Sequence, residues 1–321
     1  MVKEFGVDVK AAIGRAVVGR DAELEALLVG LLAEGHLLLE GPPGTAKTLL
    51  VRSLAALCGV TFRRVQFTPD LMPSDVIGTN VFEPQNGTFR LAKGPVFSDF
   101  LLADEVNRAP AKTQAALLES MEERRVTLDG VSHQLPEIFT VFATMNPIEF
   151  EGTFPLPEAQ LDRFLLKIPM PELSGDAELE VLARYARGED PWKLSSGQAG
   201  GQALVLISPA GLVELRAEAR RVAVEDSVQR YLLEIVRQTR VHPGAAFGAS
   251  TRAAVALLRA SRALAALHGR TFAIPDDVKF LAPFALAHRV VVRPEAMIDN
   301  LDGRLIVQQI LDRVPVPRVA G

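Results

Sequence analysis

The chain has 321 residues, 48% hydrophobic and 23% charged, with a net charge of −4 and a pI of about 5.8. This is the balance of an ordinary globular protein long enough for two domains, and its acidic surplus argues against a nucleic-acid binder, which calls for a basic face. One cysteine, Cys58, leaves no intramolecular disulfide to form. No signal-peptide core opens the chain, and no apolar run reaches the ~18–20 residues of a membrane span. A cytoplasmic protein is expected, with Cys58 as a small buried apolar residue.

In chain order, "GHLLLEGPPG" (35–44) reads as a short apolar strand entering a turn. Leu50, Val51, Leu54 and Cys58 follow at helical spacing over 47–58. Further apolar runs end at Asp104 and Asn146, and another begins at Phe164, with a helix from about Pro110 to Glu123 between the second and third runs. Non-alternating strands separated by helices predict a parallel α/β sheet, with ligands at the carboxyl ends of its strands. Asn86-Gly87 and Asp129-Gly130 each sit between short apolar segments and predict two hairpins. These are either edge decoration of the sheet or projecting contact elements. The Gly- and Ser-rich stretch from Arg187 to Gln202 reads as a linker. Beyond it the pattern is helical: Ser208-Pro209 caps one helix, Val228, Leu232, Ile235 and Val236 share the face of another, and Ser250 and Pro275 open two more. The expected division is an α/β core over 1–172, a linker over 173–204 and a helical domain over 205–321.

The chemistry begins at "GPPGTAKT", followed by Leu49. Gly41, Pro42, Pro43, Gly44, Thr45, Ala46, Lys47, Thr48 and Leu49 form a candidate phosphate loop between a strand and a helix. Its backbone N–H groups and the helix N-terminus make an anion site. Lys47 would reach the β- and γ-phosphates of a bound nucleotide, and the Thr48 hydroxyl would ligate Mg²⁺. The motif's second glycine is replaced by Ala46. A non-glycine there predicts a negative φ that already opens the helix, leaving Gly44 as the position of unusual φ. Asp104 at a strand end is a candidate for the Mg²⁺ shell, and Glu105 beside it for polarising the attacking water. Asn146 is either a turn residue before Pro147 or a ligand of the γ-phosphate or the water. Arg163, before the last strand, is either a salt-bridged surface side chain or an arginine finger for a neighbouring subunit. Arg252 opposes the dipole in the first turn of its helix, which points to another purpose such as a nucleotide phosphate.

Together "GPPGTAKT", "DLMPSDVIGTNVF", "GPVFSDFLLADEVNRAPAKTQAALLESMEERRVTLDG", "FATMNPIEFEGTFPLPEAQLDRFLLKI" and "GASTRAAVALLRASRALAALHGR" resemble the MoxR family of AAA+ ATPases. The family commonly carries alanine where Ala46 stands; its more usual GASPR is GASTR here. The resemblance implies a P-loop AAA+ core with a parallel sheet flanked by helices, and a C-terminal all-helical lid. It assigns Lys47 and Thr48 to Walker A, Asp104 and Glu105 to Walker B, Asn146 to sensor 1, Arg163 to the arginine finger and Arg252 to sensor 2. Val18 and Gly19 match the segment that borders the adenine. The hairpins match the helix-2 insert and the hairpin before sensor 1, elements that line a pore or face a partner in relatives. A hexameric homo-oligomeric ring is implied, acting as a chaperone-like remodelling factor beside a von Willebrand factor A domain protein. The client protein is unnamed by either route. In this reading Arg252 neutralises phosphate charge in cis and Arg163 in trans. The rival readings are a metal-chelatase motor subunit, a nucleic-acid motor and a nucleotide-gated scaffold with little turnover.

Overall fold

The structure, a computed structural model, describes residues 1–85, 87–147, 153–191 and 204–317. Two helices, α1 (Val2–Gly14) and α2 (Asp21–Leu32), precede β1 (Leu37–Glu40) and α3 (Lys47–Leu57). Then come β2 (Phe62–Gln66), α4 (Pro73–Ile77), hairpin β3–β4 (Gly78–Glu83, Thr88–Lys93), β5 (Phe100–Asp104) and α5 (Ala111–Glu123). Hairpin β6–β7 (Arg125–Leu128, Val131–Gln134), β8 (Thr140–Met145), α6 (Glu158–Leu161) and β9 (Leu166–Pro169) complete the core.

The main sheet has five strands in the order β2-β5-β8-β1-β9, all parallel. Its central strands lack alternation because both faces are covered. Leu37, Leu39, Phe100, Leu102 and Phe142 enter one core with α1, α2 and α3. Their neighbours Leu38, Leu101, Ala103, Val141 and Ala143 enter a second core with Leu117, Leu118 and Met121 of α5. The period-2 signal therefore survives as a choice between two cores. Phe100 and Phe142, on paired strands, are fully buried with ring centroids 5.2 Å apart; burying one such side chain contributes about 1.5–3 kcal/mol. Cys58 is buried as expected, and desolvation pushes its thiol up to about 12.

β2 adds a strand to the four apolar runs read from the sequence. Its Phe-Arg-Arg-Val-Gln leaves Arg63, Arg64 and Gln66 exposed at the sheet edge, so it carries no apolar run.

Both hairpins form. Asp129 and Gly130 take φ of 49° and 81°, the left-handed pair that a two-residue turn requires; Asn86 lies outside the described residues, while Gly87 has φ 62°. Neither hairpin pairs with the five-stranded sheet, so edge decoration is ruled out. They expose Phe82, Phe89 and Val131 and are tied together by Asn80 Nδ2 donating to Asp129 Oδ2 at 2.6 Å.

The segment expected as a linker over 173–204 begins with a helix, α7 (Gly175–Ala186). Ser174 caps it by accepting the Ala177 N–H at 3.4 Å, and Asp176 and Glu178 suit the positive end of its dipole. Residues 192–203, most of the Gly- and Ser-rich stretch, lie outside the described residues. Beyond them come α8 (Pro209–Arg220), α9 (Asp226–Val241), α10 (Thr251–Leu267), α11 (Pro275–Leu286), α12 (Pro294–Ile298) and α13 (Gly303–Arg313). Ser208 caps α8 as expected, accepting from Gly211 N at 3.2 Å. One short antiparallel pair, β10 (Ala245–Phe247) with β11 (Val291–Val292), joins this helical lid.

The lid shares the first core, through Leu215, Leu257, Leu264 and Leu281 among others. Polar bonds fix the joint. Arg216 of α8, 3% exposed, donates to Leu31 O at 3.0 Å and to Thr140 Oγ1 at 2.9 Å. Arg259 of α10 donates to Ala33 O, and Arg124 to Glu34 O at 3.1 Å. Three arginines thus cover the carbonyl end of α2, where cations complement the helix dipole. Burial pulls the Arg216 guanidinium down to about 10, and it stays charged. Among the described residues no helix is long and apolar enough to cross a membrane.

Candidate functional site

At the carboxyl end of the sheet, β1, β5 and β8 open into a cleft of about 360 Å³ lined by Pro43–Leu49, Asp104, Glu105, Thr144, Met145 and Asn146. Strand order explains the place. The chain leaves β1 for the far edge at β2, returns through β5 and β8, and crosses to β9 on the other side of β1. A crevice opens where such directions reverse. Gly41 is required at the mouth of β1, since a Cβ there would stand 2.1 Å from Met170 O.

The loop corrects one expectation. Gly44 has φ 82°, as foreseen, but Ala46 is also left-handed, with φ 65° and ψ 15°. The helix does start at Ala46, whose carbonyl accepts the Leu50 N–H at 2.9 Å, but its own dihedrals are not yet helical. Reversals of hand along a short loop turn successive N–H groups into one concavity, the geometry of an anion nest. For alanine this conformation costs about 1–2 kcal/mol, and its methyl packs against the first core in partial return.

The Lys47 ammonium donates to Gly41 O at 2.5 Å and Pro42 O at 2.7 Å, so it lies along the floor of the loop. Burial lowers its pKa, and the nearby Asp104 and Glu105 carboxylates oppose that shift. Asp104, 7% exposed, receives Arg64 Nε at 2.9 Å and the Thr144 hydroxyl on its other oxygen. Glu105 is, after Ala46, the second left-handed non-glycine lining this cleft, φ 56°. Its N–H donates to Thr144 Oγ1 at 2.8 Å, and its carboxylate accepts from Gln66 Nε2 at 2.7 Å and Arg108 Nη1 at 3.1 Å. Thr144 therefore pins the ends of β5 and β8 together. Strain of this kind, held by surrounding bonds, concentrates at functional sites. Thr48 and Asn146 line the same cleft, and Asn146 is buried.

Arg163 and Arg252 are elsewhere. Both line a separate cavity of about 370 Å³ between core and lid, with Glu122, Asp162, Arg259 and Arg289. Arg163 Nη1 donates to Leu118 O at 2.8 Å and pairs with Glu122 Oε2 at 3.1 Å; Arg252 Nη1 pairs with Glu122 Oε1 at 3.2 Å. Arg252, expected beside its own phosphate loop, does not line that cleft in this structure. With α10 packed on the carbonyl end of α2 through Arg259, its first turn lies over the end of α5. Val18 and Gly19 do not line the phosphate cleft. Gly19, φ 68°, lies against Leu173 and Ala177 at the start of α7, where an added Cβ would come within 3.2 Å of Ala177.

Arg64, Gln66, Thr144 and Glu122 escaped the sequence reading. Arg64 and Gln66 had a signal: two residues apart on one strand, they share a face, once β2 is recognised as a strand.

The chain matches the model of the ATPase family associated with various cellular activities over residues 36–166, and an AAA lid domain over 237–310. It is 42% identical to Chaperone MoxR1 of Mycobacterium tuberculosis, covering 96% of this chain and 81% of that protein. The uncharacterised Bacillus subtilis protein YeaC is 44% identical over 95% of this chain and 92% of its own length. Protein MoxR of Methylorubrum extorquens is 32% identical, covering 95% and 93%. A crystal structure of a Cytophaga hutchinsonii protein superposes with TM-score 0.88 and 40% identity over 99% of this chain and 96% of that one.

Proposed function

The chain belongs to the MoxR family of AAA+ ATPases, and we propose that it hydrolyses MgATP only where two copies meet in a ring. One observation carries this reading. The phosphate cleft holds an anion nest, a lysine and two carboxylates, while the two candidate transition-state arginines line another cavity altogether. Phosphoryl transfer rests on positioning and charge neutralisation, so a cleft without those arginines is half of a site. A second copy, turned head to tail, supplies the other half.

In this reading the loop N–H groups and Lys47 bind the β- and γ-phosphates, and Val18 and Gly19 border the adenine. The Thr48 hydroxyl and the Asp104 carboxylate are hard oxygen donors in one cleft, which suits Mg²⁺ held by one carboxylate and the phosphates. Bound Mg²⁺ neutralises charge on the phosphate oxygens. Glu105 orients and deprotonates the attacking water, and Asn146 steadies the water or the γ-phosphate. Arg163 and Arg252 both arrive in trans. The ring, hexameric by family resemblance, acts as a chaperone-like remodelling factor in the cytoplasm with a von Willebrand factor A domain partner. The exposed Phe82, Phe89 and Val131 of the hairpins offer apolar contacts to partner or client.

The test is complementation. Arg163→Ala and Glu105→Gln subunits should each turn over poorly alone, and their mixture should recover activity, because Glu105→Gln subunits lend arginines to intact clefts. A mixture no more active than its parts would sink the trans reading.

A further inference from the structure

One side chain in the arginine cavity does work that neither the motifs nor the family assignment gives it. Glu122 lies at the last turn of α5 and uses both oxygens: Oε2 faces Arg163 Nη1 at 3.1 Å and Oε1 faces Arg252 Nη1 at 3.2 Å. The two arginines come from different parts of the fold, Arg163 from the turn after α6 and Arg252 from the first turn of the lid helix α10. We propose that Glu122 is the positioning residue for both. Its carboxylate bridges core and lid at this point and sets the spacing of two guanidinium groups, so that they reach a neighbouring copy's nucleotide as one unit.

Three observations support the assignment. First, each arginine pairs with a separate oxygen of one carboxylate, so the two can be held at once. Second, Arg163 is also anchored on the carbonyl of Leu118, one turn back on the same helix, at 2.8 Å. Its fork is thus aimed from α5, and Glu122 adds the second point that fixes its direction. Arg252, 48% exposed, has Glu122 as its one charged partner among the described residues. Third, the bridge is half-exposed, with Glu122 at 39% and Arg163 at 29%. Ion pairs at such exposure contribute little to folding, so stability does not account for it. Geometry does: a transition state is served by charges already in place, and the free arginine side chains would otherwise lose rotamer freedom on each encounter.

The γ-phosphate then takes the place that Glu122 prepares. It presents anionic oxygens to the N–H groups that remain on the two guanidiniums, which bind carboxylate and phosphate by the same fork geometry. Glu122 touches no reacting atom in this account.

The proposal rests on the trans reading above, and the experiment separates the two. Steady-state ATPase rates of the full chain are measured for Glu122→Ala, Glu122→Asp and Glu122→Gln, alone and combined with Arg163→Ala or Arg252→Ala. Glu122→Ala should lower kcat about tenfold while KM for ATP, read at the cleft, stays within about twofold. Glu122→Asp, which keeps two anionic oxygens, should recover part of the loss. Glu122→Gln should recover less, since its amide accepts through one oxygen only. On an Arg163→Ala or Arg252→Ala background the same Glu122→Ala change should cost less than it does alone, because one of the two groups it positions is gone. Mixing Glu122→Ala with Glu105→Gln subunits should restore turnover, which a folding defect would not allow. Normal kcat in Glu122→Ala, or an undiminished loss on either arginine background, overturns the positioning role while leaving the trans reading intact. Normal turnover in both arginine variants overturns the two together.

Discussion

The phosphate cleft and the arginine cavity are built on opposite plans. The cleft is assembled from the ends of adjacent parallel strands, so its residues are placed by the sheet itself and pinned by Thr144 between β5 and β8. The arginine cavity is assembled from the end of α5, the turn after α6 and a lid helix, and its Arg163 and Arg252 are held by ion pairs at half-exposed positions. A rigid framework suits the groups that must bind nucleotide in every copy. A joint between core and lid suits groups proposed to serve another copy, because a shift of the lid can present or withdraw Arg252.

The sharpest way to break this contrast is to damage each region and ask which copy suffers. Glu105→Gln should lower turnover about 10²–10³-fold while ATP binding persists, since Lys47 and the loop are untouched. Its defect should stay with its own cleft. Arg252→Ala should also lower turnover, and the loss should be relieved by mixing with Glu105→Gln subunits. Equilibrium binding of a fluorescent ATP analogue beside steady-state rates decides both. Weakened ATP binding by isolated Arg252→Ala subunits would favour a cis role for Arg252 over the trans one.

The joint can be loosened without touching either region. Arg216→Met leaves Leu31 O and the Thr140 hydroxyl without their buried donor, a loss of about 2 kcal/mol of stability readable by urea unfolding. Turnover at a temperature where the variant is folded should fall further than ATP binding, because the lid carries Arg252 and the cleft lining comes from the core alone.

Legibility in the sequence follows the same division. Lys47, Thr48, Asp104 and Glu105 could be read because strand ends are marked by local pattern, and the strands by apolar runs. The placement of Arg252 could not, because it depends on how α10 packs across α2, a contact between residues far apart in the chain. Glu122 was hidden for a related reason: in "LLESMEERR" it is one acidic residue among several, and only the fold brings Arg163 and Arg252 to it. β2 escaped since its edge position requires no apolar run, and with it went Arg64 and Gln66, which hold the two cleft carboxylates.

Acid should affect the cavity side through His36, which lines it and is buried. Its Nδ1 accepts the Val141 N–H at 2.9 Å and its Nε2 lies 3.0 Å from Met121 O, so the neutral Nε2–H form satisfies both partners. Burial, then the charge of Arg124, depresses its pKa from 6.5 to about 3. The unfolded chain takes up a proton below 6.5 that the native state refuses until about 3. Stability is therefore whole above pH 6.5 and falls as pH drops through that window, by about 1.4 kcal/mol per pH unit from this group. His288, also buried and lowered, adds in the same direction. A His36→Gln variant should show a shallower fall of unfolding free energy between pH 6 and pH 4.5; an unchanged slope would remove His36 from the account.

The smallest effect tests the cleft at the residue where sequence and structure disagreed. Ala46→Gly relieves about 1–2 kcal/mol of left-handed strain at φ 65°, and glycine's freer unfolded chain returns about 0.4–1 kcal/mol of that. The methyl's contact with the first core is lost as well. Net stability should change by less than about 1 kcal/mol, on the stabilising side if strain outweighs packing, and turnover should stay within about twofold. A loss well beyond 1 kcal/mol in urea unfolding would mean that the Ala46 methyl is held by its packing rather than tolerated for the sake of the loop. The left-handed turn would then be a consequence of the core beneath it, and the contrast between a cleft set by strand ends and a cavity set by packing would have to be redrawn at this residue.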